Sequence, residues 1–473
     1  MADPNHYDTI SIGSGEAGKY ICWNRSSTLG VRTAVIEHKY IGGSCPNIAC
    51  LPSKNFIFSA EVAHLARKYS STGLLKTHAI RNEVGVDMAI VRERKRDMVH
   101  GLVDMHKDVF ENSGTELIIG HGRLIGGNKV EVELSNGTSK VVTADNIILC
   151  TGSRAHIPDT PGLKAAKPLT HIEILELDEV PKHLVTLGGG YVGLEFAQAC
   201  RRFGAKVSVV ERGEMVLKNE DEDISNALVE ILKAEGIEFF TSTKIDHVDG
   251  ISGESVTLSG SQNGEAFEIT GSHLLVSSGR LPNTEDAGLQ EAGVELTATG
   301  HVKVDEYLRT NVPGIFAVGD CAGSPHFTHI GFEDFRIVRD FLLDKQPLRS
   351  TKDRQVPNTL YTDPELAHVG FSESTARKAG MKYRLIRLPM AAFLRTRTMD
   401  ATQGFAKALV STTDDTILGF TALGTRAGEL LPVVQLAISA GLPYKSIANL
   451  IVTHPTLNEG LVSLFGSVSP RTI

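Results

Sequence analysis

Two cysteines five positions apart, Cys45 and Cys50, are the residues of this 473-residue sequence best suited to redox chemistry. They follow the run Gly42-Gly43-Ser44 and precede Leu51-Pro52-Ser53-Lys54. A regular helix rises about 1.5 Å per residue, so it would hold their α-carbons farther apart than the roughly 4.4 to 6.8 Å of a disulfide. A disulfide between them therefore requires an irregular helix start, and Pro46 is compatible with the first turn of a helix. A strained, accessible disulfide is the kind that is readily reduced. The alternative is two unrelated structural thiols.

A glycine-rich segment close to the start of the chain predicts a dinucleotide-binding unit. A predicted strand at residues 7–12 leads into Gly13, Gly15 and Gly18, a helical stretch, and a second predicted strand that ends at Glu37. Glycines at this spacing permit a tight turn, the approach of the backbone to a pyrophosphate and close packing of helix on strand. An acid 19 positions after the last glycine suits a ribose hydroxyl. The alternative is a glycine-rich surface turn.

The same pattern occurs a second time, which indicates two bound nucleotides. A predicted strand at 184–187 precedes Gly188, Gly190 and Gly193, and the strand after the predicted helix ends in Glu211. A carboxylate at that place accepts a ribose 2′-hydroxyl but repels a 2′-phosphate, so NADH is favoured over NADPH. The adjacent Arg212 weakens this preference, and both coenzymes stay candidates.

Composition and charge are typical of a globular protein that binds small ligands. Apolar residues make up 41% of the chain, and 48 basic against 56 acidic residues give a net charge of −8, which argues against a nucleic-acid partner. No apolar run approaches about 18 residues and the first residues lack the pattern of a signal peptide, so we expect a cytoplasmic protein without a membrane partner. Six cysteines are too few for a disulfide-stapled fold, and none has the spacing of a zinc site, so no metal is expected.

Outside the two units the pattern changes. Residues 87–112 form a long charged helix candidate with Asp87 as its N-cap and Gly114 just past its end. The basic run at 92–96 is interpreted as a solvated face of that helix. From about residue 349 onward, short strands and apolar helices are typical of an α+β domain without a nucleotide fingerprint.

The two fingerprints and the segment GGSCPNIACLPSK resemble the class I pyridine nucleotide-disulfide oxidoreductases, the flavoprotein family of lipoamide dehydrogenase, glutathione reductase and mercuric reductase. The resemblance extends over essentially the whole chain. It implies an α/β fold with two Rossmann-type dinucleotide-binding domains, for FAD and NAD(P), and a C-terminal α+β dimerisation domain. The implied boundaries are 1–153 and 280–348 for the FAD-binding domain, 154–279 for the NAD(P)-binding domain and 349–473 for the dimerisation domain.

The resemblance also implies where the cofactors bind. The first fingerprint and a second motif that ends in Asp320 would hold FAD, and Thr328 and His329 would head a helix whose positive end lies near the flavin. The second fingerprint would hold NADH or NADPH. The implied cofactor-binding residues are Gly13, Gly15, Gly18, Glu37, Gly43, Ser44, Lys54, Thr151, Gly152, Gly188, Gly190, Gly193, Glu211, Gly279, Gly319, Asp320, Thr328 and His329.

The resemblance further implies catalytic roles near the flavin. Tyr191 matches the aromatic residue that covers the nicotinamide site, and Lys54 and Glu195 match an ion pair beside the flavin N5. Electrons would pass from NAD(P)H through FAD to Cys50. This would open a Cys45–Cys50 disulfide and leave Cys45 as the thiol that attacks the substrate.

A C-terminal segment adds an acid and a base. The sequence from His454 to Glu459 resembles the HPTxxE signature of the family. In that signature the histidine and the glutamate form an acid/base pair that reaches the disulfide of the partner subunit. The resemblance therefore implies an obligate homodimer with active sites shared across the interface.

The electron acceptor stays open, because several branches of the family share this machinery. We predict reduction of a small-molecule disulfide; the alternatives are a metal ion, of mercury or copper type, and a quinone. Mercuric reductases carry a tyrosine in place of His454 and a C-terminal cysteine pair that this sequence lacks, which argues against efficient mercury reduction. Lipoamide dehydrogenases usually carry a smaller residue in place of Tyr191 and a second histidine in place of Val452, which argues against that substrate. The complete catalytic set disfavours a non-catalytic redox sensor.

Overall fold

The N-terminal third of the chain builds a sheet covered by helices; the computed structural model describes residues 3–72, 74, 85–352 and 354–470. The elements of this third are β1 (His6–Ile12), α1 (Glu16–Leu29), β2 (Thr33–Glu37), α2 (Ser44–Asn47), α3 (Cys50–Ser71), α4 (Met88–Ser113), β3 (Glu116–Leu124), β4 (Lys129–Leu134), β5 (Ser139–Leu149) and β6 (Ser153–Ala155). Strand β1 lies between β2 and β5, parallel to both, and β3 is parallel to β2. Strand β4 runs antiparallel to both β3 and β5. Every residue of β2 is buried, as expected for a parallel strand covered on both faces.

The middle of the chain forms a smaller parallel sheet. Its elements are β7 (His183–Leu187), α5 (Tyr191–Phe203), β8 (Lys206–Val210), α6 (Glu222–Ala234), β9 (Ile237–Phe240), β10 (Thr243–Ile251), β11 (Ser255–Gln262), β12 (Glu265–Gly271), β13 (His273–Val276) and β14 (Arg280–Pro282). The parallel strands follow the order β13-β7-β8-β9, and β10, β11 and β12 make a separate antiparallel sheet. Strand β14 pairs with β6 and so ties the middle of the chain to its beginning.

The last third completes the first sheet and adds an antiparallel one. Its elements are β15 (Ile315–Ala317), α7 (Thr328–Leu342), β16 (Asn358–Leu360), β17 (Glu365–Gly370), α8 (Glu373–Lys378), β18 (Tyr383–Pro389), α9 (Leu394–Thr398), β19 (Phe405–Ser411), β20 (Ile417–Gly424), α10 (Leu431–Ser439), α11 (Lys445–Ala448) and α12 (Glu459–Gly466). Strand β15 pairs in parallel with β5 and becomes the sixth strand of the first sheet. The C-terminal sheet has the order β16-β17-β20-β19-β18, and α10 and α12 share its apolar core.

Both predicted strand–turn–helix–strand units are present. In the second unit, helix α5 begins at Tyr191, directly after its N-cap Gly190. Strand β8 ends at Val210, so Glu211 lies in the loop after the strand and not at its end. Tyr191 therefore lies at the start of a helix and Glu211 just past the end of a strand, where their side chains can reach a ligand.

Helix α4 has the predicted caps, and three of the five residues of its basic run are exposed, as predicted. Asp87 accepts hydrogen bonds from two backbone amides of the first turn, and Gly114 ends the helix with φ +73°. Lys95 is buried and bonds to Glu176, as does Arg96. The prediction of a solvated face was wrong for Lys95 because its acidic partner lies 81 positions away in the sequence, outside any local pattern.

Candidate active site

The helix that carries Cys45 and Cys50 is interrupted between them. Helix α2 ends at Asn47, and Ala49, with φ −128° and ψ −100°, immediately precedes the start of α3 at Cys50. The Asn47 side chain donates to the backbone oxygen of Gly43 at 2.8 Å and holds this break in place. The chain therefore has the irregular helix start that a disulfide between the two cysteines would require.

The two thiols differ in how strongly they hold a proton. They are not covalently bonded here and hydrogen-bond each other, and the Cys50 sulfur lies 3.1 Å from the Thr328 hydroxyl. The hydrogen bond from Cys45 lowers the pKa of Cys50 to about 6 against the effect of burial, and Thr328 and the Lys54 ammonium act in the same direction. That same hydrogen bond, together with burial, raises the pKa of Cys45. In the reduced pair Cys50 is thus the thiolate and Cys45 keeps the proton.

A cavity of about 1800 Å³ runs past both thiols. Its volume exceeds the roughly 300–1,000 Å³ of a typical small-molecule pocket, so it has room for more than one ligand group. The predicted site residues that line it are Gly13, Gly15, Glu37, Gly43, Ser44, Cys45, Cys50, Lys54, Thr151, Gly152, Tyr191, Glu195, Gly319, Asp320, Thr328 and His329. The predicted residues outside its lining are Gly18, Gly188, Gly190, Gly193, Glu211, Gly279, His454 and Glu459.

The first fingerprint forms a cradle for a pyrophosphate at one end of the cavity. A Cβ at Gly13, where φ is +101°, would lie 2.2 Å from the Cys150 backbone oxygen. A Cβ at Gly43, where φ is +88°, would lie 2.7 Å from the α-carbon of Gly15. The bare backbone and the positive end of α1 therefore face the cavity, which fits the phosphates of FAD.

The Glu37 carboxylate is held by the loops beside it. It accepts the backbone amide and the hydroxyl of Ser14 at 3.0 and 2.7 Å, and the backbone amides of Lys39 and Tyr40 at 2.9 and 3.0 Å. A carboxylate has about four acceptor positions, so a ribose hydroxyl bound here would displace one of these donors. The Ser14 hydroxyl is free to yield, because the backbone oxygen of Tyr40 lies 3.0 Å from it as a second acceptor.

The second predicted FAD motif lies in a short turn after β15. Asp320 accepts a hydrogen bond from the Ser153 hydroxyl, and Arg280, whose Nε donates to the same Ser153 oxygen at 2.8 Å, lies 3.7 Å from Asp320. Helix α7 begins nearby at Thr328 and directs its N-terminal turn into the cavity. The Asp320 carboxylate can accept hydrogen bonds from the hydroxyl groups of the FAD ribityl chain. The positive end of α7 suits partial negative charge on the flavin ring, so both features fit FAD.

An ion pair between a half-buried lysine and a buried glutamate lies on the wall beside Cys50. Lys54 Nζ donates to Glu195 Oε2 at 2.8 Å, and the backbone amide of Tyr361 donates to Glu195 Oε1 at 2.9 Å. The Tyr361 ring lies under the same ammonium, with 4.7 Å between Nζ and the ring centroid. Glu195 is fixed from two sides, so the position of the Lys54 charge is fixed as well.

Tyr191 lies next to this ion pair at the start of α5. Its ring lines the cavity, and its hydroxyl is within 2.9 Å of Glu220 Oε1 and 2.7 Å of the Asn358 side-chain amide. The Tyr191 ring therefore forms part of the cavity wall, and its hydroxyl group is held between Glu220 and Asn358.

The second fingerprint repeats the backbone geometry of the first. A Cβ at Gly188, where φ is +112°, would lie 2.7 Å from the backbone oxygen of Ser277. The carboxylate of Glu211 accepts the amides of Gly189 and Gly213, both at 2.7 Å. Two of its roughly four acceptor positions are used, which leaves capacity for ribose hydroxyls.

His454 and Glu459 form a pair away from the cavity of their own chain. The His454 Nδ1 lies 2.9 and 3.0 Å from the two carboxylate oxygens, and 62% of the imidazole side chain is exposed. Because Nδ1 donates to the carboxylate, Nε2 is the nitrogen that can exchange a proton. The fold does not bring this pair to Cys45 of the same chain.

Four side chains around the site were missed by sequence reasoning. Ser14 and Arg280 adjoin predicted residues, and their polarity was the available signal. Asn358 and Tyr361 belong to a strand region that starts more than 160 positions after Tyr191 and carries no motif. Only the tertiary fold brings them to the cavity.

An acidic cluster outside the cavity has the spacing of a metal site. Over residues 3–72, 74, 85–352 and 354–470, Asp221, Asp223 and Glu373 are the one group of His, Cys, Asp and Glu side chains spaced in this way. The buried ammonium of Lys407 lies between them at 2.8, 2.7 and 3.0 Å. Lysine takes the place that a cation would have, so the cluster is a structural ion network.

Comparison with known proteins agrees with this geometry. The chain matches the family model of the pyridine nucleotide-disulphide oxidoreductases over residues 7–334 and the dimerisation domain of that family over residues 356–465. It is 32% identical over 465 residues to dihydrolipoyl dehydrogenase of Mycobacterium leprae, with 97% of each chain covered. It is also 32% identical to the probable pyridine nucleotide-disulfide oxidoreductase RclA of Escherichia coli, over 98% of this chain and 100% of the relative.

Solved structures agree as well. The HOCl-induced flavoprotein disulfide reductase RclA from Escherichia coli, as its Cu(II) complex, superposes with a TM-score of 0.88 at 30% identity, over 98% of this chain and 100% of that chain. LpdA from Mycobacterium tuberculosis superposes with a TM-score of 0.87 at 25% identity, over 97% of this chain and 98% of that chain.

The chain therefore belongs to the pyridine nucleotide-disulphide oxidoreductase family. The predicted fold class is confirmed, and the protein is an NAD(P)H-dependent flavoprotein disulfide oxidoreductase with FAD and NAD(P)H as its cofactors. The second family match supports a homodimer that acts on small molecules. Within the described part of the chain, no helix combines the length and the apolar character needed to cross a membrane.

Proposed function

We propose that this protein passes electrons from NADH, through FAD and the Cys45–Cys50 pair, to a small-molecule disulfide. The observation that carries the proposal is the interrupted helix that places Cys45 and Cys50 together on the wall of the cavity. Cys50 is stabilised as a thiolate beside Thr328 and Lys54, whereas Cys45 keeps its proton. A pair of this kind has one sulfur ready to exchange electrons within the cavity and one sulfur ready to react with a substrate.

The residues around the cavity bind and orient the cofactors. FAD, when bound, accepts a hydride from the nicotinamide and passes the electron pair to a disulfide. Gly13 and Gly43 leave room for its pyrophosphate, and Glu37 and Asp320 accept the hydroxyl groups of its ribose and ribityl chain. Lys54 supplies a fixed positive charge at the flavin edge, where negative charge develops.

The substrate reacts with Cys45. The Cys45 thiolate attacks one sulfur of the substrate disulfide, which forms a mixed disulfide and releases one substrate thiolate. The Cys50 thiolate then attacks Cys45, restores the Cys45–Cys50 bridge and releases the second thiolate, and each released thiolate takes up a proton. Because the pKa of Cys45 is raised, the first step needs a base.

We assign that base to His454 of the partner subunit, with Glu459 orienting it across a homodimer interface. Support comes from the exposure of His454 and from its bidentate contact with Glu459. Apolar side chains of the same C-terminal region, Leu436 and Ile451, are 68% and 103% exposed in a single chain, as expected for an interface surface.

The preference for NADH is part of this proposal. The Glu211 carboxylate keeps two acceptor positions for ribose hydroxyls and would repel a 2′-phosphate. The division into FAD-binding, NAD(P)-binding and dimerisation domains at residues 153, 279 and 348 is proposed with it, supported by the three separate large sheets of these regions, with the two-stranded β6–β14 sheet at the first two boundaries.

A second candidate function is reduction of a thiol-binding metal ion such as Cu(II). It is favoured by the Cu(II) complex of the relative RclA from Escherichia coli and by the two adjacent sulfurs of Cys45 and Cys50, which are soft ligands. The metal ion would be a substrate and not a resident cofactor.

Anaerobic titration of the flavoprotein with NADH and with NADPH tests the proposal. We expect NADH to be the better donor and two electrons per flavin to produce a long-wavelength charge-transfer absorbance from the Cys50 thiolate. Bleaching of the flavin without this absorbance would contradict the disulfide route and support the metal ion or a quinone as acceptor.

Two matched variants separate the roles of the sulfurs. Cys45→Ser leaves Cys50 as an unpaired thiolate, so we expect charge-transfer absorbance without any reductant, whereas Cys50→Ser should lack it. Both variants should lose disulfide reduction by at least about a hundredfold. Retained disulfide turnover in Cys45→Ser would refute the role of that sulfur.

A further inference from the structure

The hydroxyl of Tyr191 joins two parts of the molecule that are far apart in sequence. Tyr191 begins α5 beside the parallel sheet of the middle region, and Glu220 lies in the loop before α6 of that same region. Asn358 is the first residue of β16 in the C-terminal sheet. Distances of 2.9 Å to Glu220 and 2.7 Å to Asn358 make the contact a hydrogen-bonded bridge.

The chemistry of the three groups defines the direction of each hydrogen bond. A phenolic hydroxyl has one proton, and a carboxylate only accepts, so Tyr191 donates to Glu220. The structure places Asn358 Oδ1 2.7 Å from the phenolic oxygen, and with the one phenolic proton given to Glu220 this contact becomes a hydrogen bond once the Asn358 amide is turned so that its NH₂ group donates. Burial, and then the charge of Glu220, raise the pKa of Tyr191, so its hydroxyl keeps the proton that this arrangement needs.

Both anchors are themselves fixed. The backbone amide of Glu220 donates to Leu217, whose own amide donates to the backbone oxygen of Gly189 in the second fingerprint. On the other side, Pro357 accepts a 2.7 Å hydrogen bond from the imidazole of His329. Tyr191 is therefore held between the coenzyme loop and a strand anchored to α7.

The strand that supplies Asn358 also contacts the ion pair beneath Tyr191. Tyr361, three residues farther on, donates its backbone amide to Glu195 and lies under Lys54. The segment from Pro357 to Tyr361 thus contacts Tyr191, His329 and the Lys54–Glu195 ion pair.

We propose that Asn358 and Glu220 are positioning residues that latch Tyr191 over the nicotinamide site, so that NADH binding must first break the Tyr191–Asn358 hydrogen bond. This inference rests on the proposed function, in which Tyr191 covers that site. A latched side chain keeps water and oxygen from the flavin between turnovers and lowers the apparent affinity for NADH by the fraction of time that the site is open.

Stopped-flow reduction of the holoenzyme by NADH tests the latch. Loss of one hydrogen bond shifts such an equilibrium by a few-fold to about tenfold. Asn358→Ala should therefore lower the apparent Kd of NADH several-fold, leave the limiting rate of flavin reduction unchanged and speed the oxidation of the reduced flavin by oxygen. Asn358→Leu, which keeps about the size of the side chain but can neither donate nor accept a hydrogen bond, should act in the same direction and guards against a packing effect.

A double-mutant cycle gives the decisive comparison. Tyr191→Phe and Asn358→Ala remove the same hydrogen bond, so the double variant should bind NADH no tighter than Tyr191→Phe alone. Effects that multiply, or an apparent Kd for Asn358→Ala and Asn358→Leu equal to that of the unmodified enzyme, would overturn the latch. An unmodified enzyme that neither NADH nor NADPH reduces would instead overturn the proposed function.

Discussion

Thr328 helps to decide which sulfur of the Cys45–Cys50 pair carries the negative charge. Its hydroxyl lies 3.1 Å from the Cys50 sulfur, and the pKa of Cys50 is lowered to about 6, so the thiolate predominates above that pH and is protonated as the pH falls below it. Thr328→Val removes this donor and should raise that pKa by about one pH unit. A pH titration of the charge-transfer absorbance of the two-electron-reduced enzyme measures the change.

Thr328→Ser is the matched control for this titration. It keeps a hydroxyl at the same place, so the absorbance should disappear near the same pH as in the unmodified enzyme. An identical pH dependence for the valine and serine variants would show that the hydrogen bond to Cys50 has no part in stabilising the thiolate.

Three elements of the fold, α6, α8 and β19, meet at the Lys407 ammonium. Lys407 is fully buried, and its three carboxylate partners lie within 3.0 Å. Burial opposes ionisation of Asp221, but Lys407 and two backbone amides nevertheless hold its pKa below the usual value. Lys407→Met leaves these carboxylates without a cation and should destabilise the fold by about 3–5 kcal/mol.

The pH dependence identifies the cause of that loss. Without Lys407 the carboxylates repel one another, their pKa values rise, and protonation relieves the repulsion as the pH falls. The deficit in thermal unfolding temperature should thus be larger at pH 8 than at pH 5. Lys303→Met, which removes an exposed partner of Glu295, should leave unfolding nearly unchanged. A deficit independent of pH would indicate a packing defect.

Elements with a local pattern were predictable, and contacts between distant elements were not. The glycines before α1 and α5 and the Asp87 cap of α4 are local signals, and the structure contains all three elements. The latch at Asn358 joins strands and helices whose meeting depends on the whole fold. For the same reason the site residues near the flavin could be proposed from motifs, whereas the Glu195 contact with Tyr361 could not.

The complete molecule with a working active site is proposed to be the dimer, and mixed dimers test this. Cys45→Ser and His454→Gln homodimers should each be inactive. Statistical exchange of subunits should restore about a quarter of the activity of the unmodified enzyme, because half of the dimers then contain one intact site of two. Differently tagged chains, coexpressed and separated, allow the heterodimer itself to be assayed.

Two results would speak against shared sites. A heterodimer without activity would mean that Cys45 and His454 must come from the same chain. A fully active His454→Gln homodimer would remove His454 from the reaction altogether.

The place of β15 in the first sheet has a consequence for the order in which the protein is made. Strand β5 ends at Leu149 and pairs with β1 on one side, yet β15, its parallel neighbour on the other side, is completed only when the ribosome reaches Ala317. Until then the nascent chain presents an open sheet edge, and Asp320 has not been synthesised. We therefore expect the middle region to fold while the first sheet is still incomplete. FAD is expected to bind only after about two thirds of the chain has been translated.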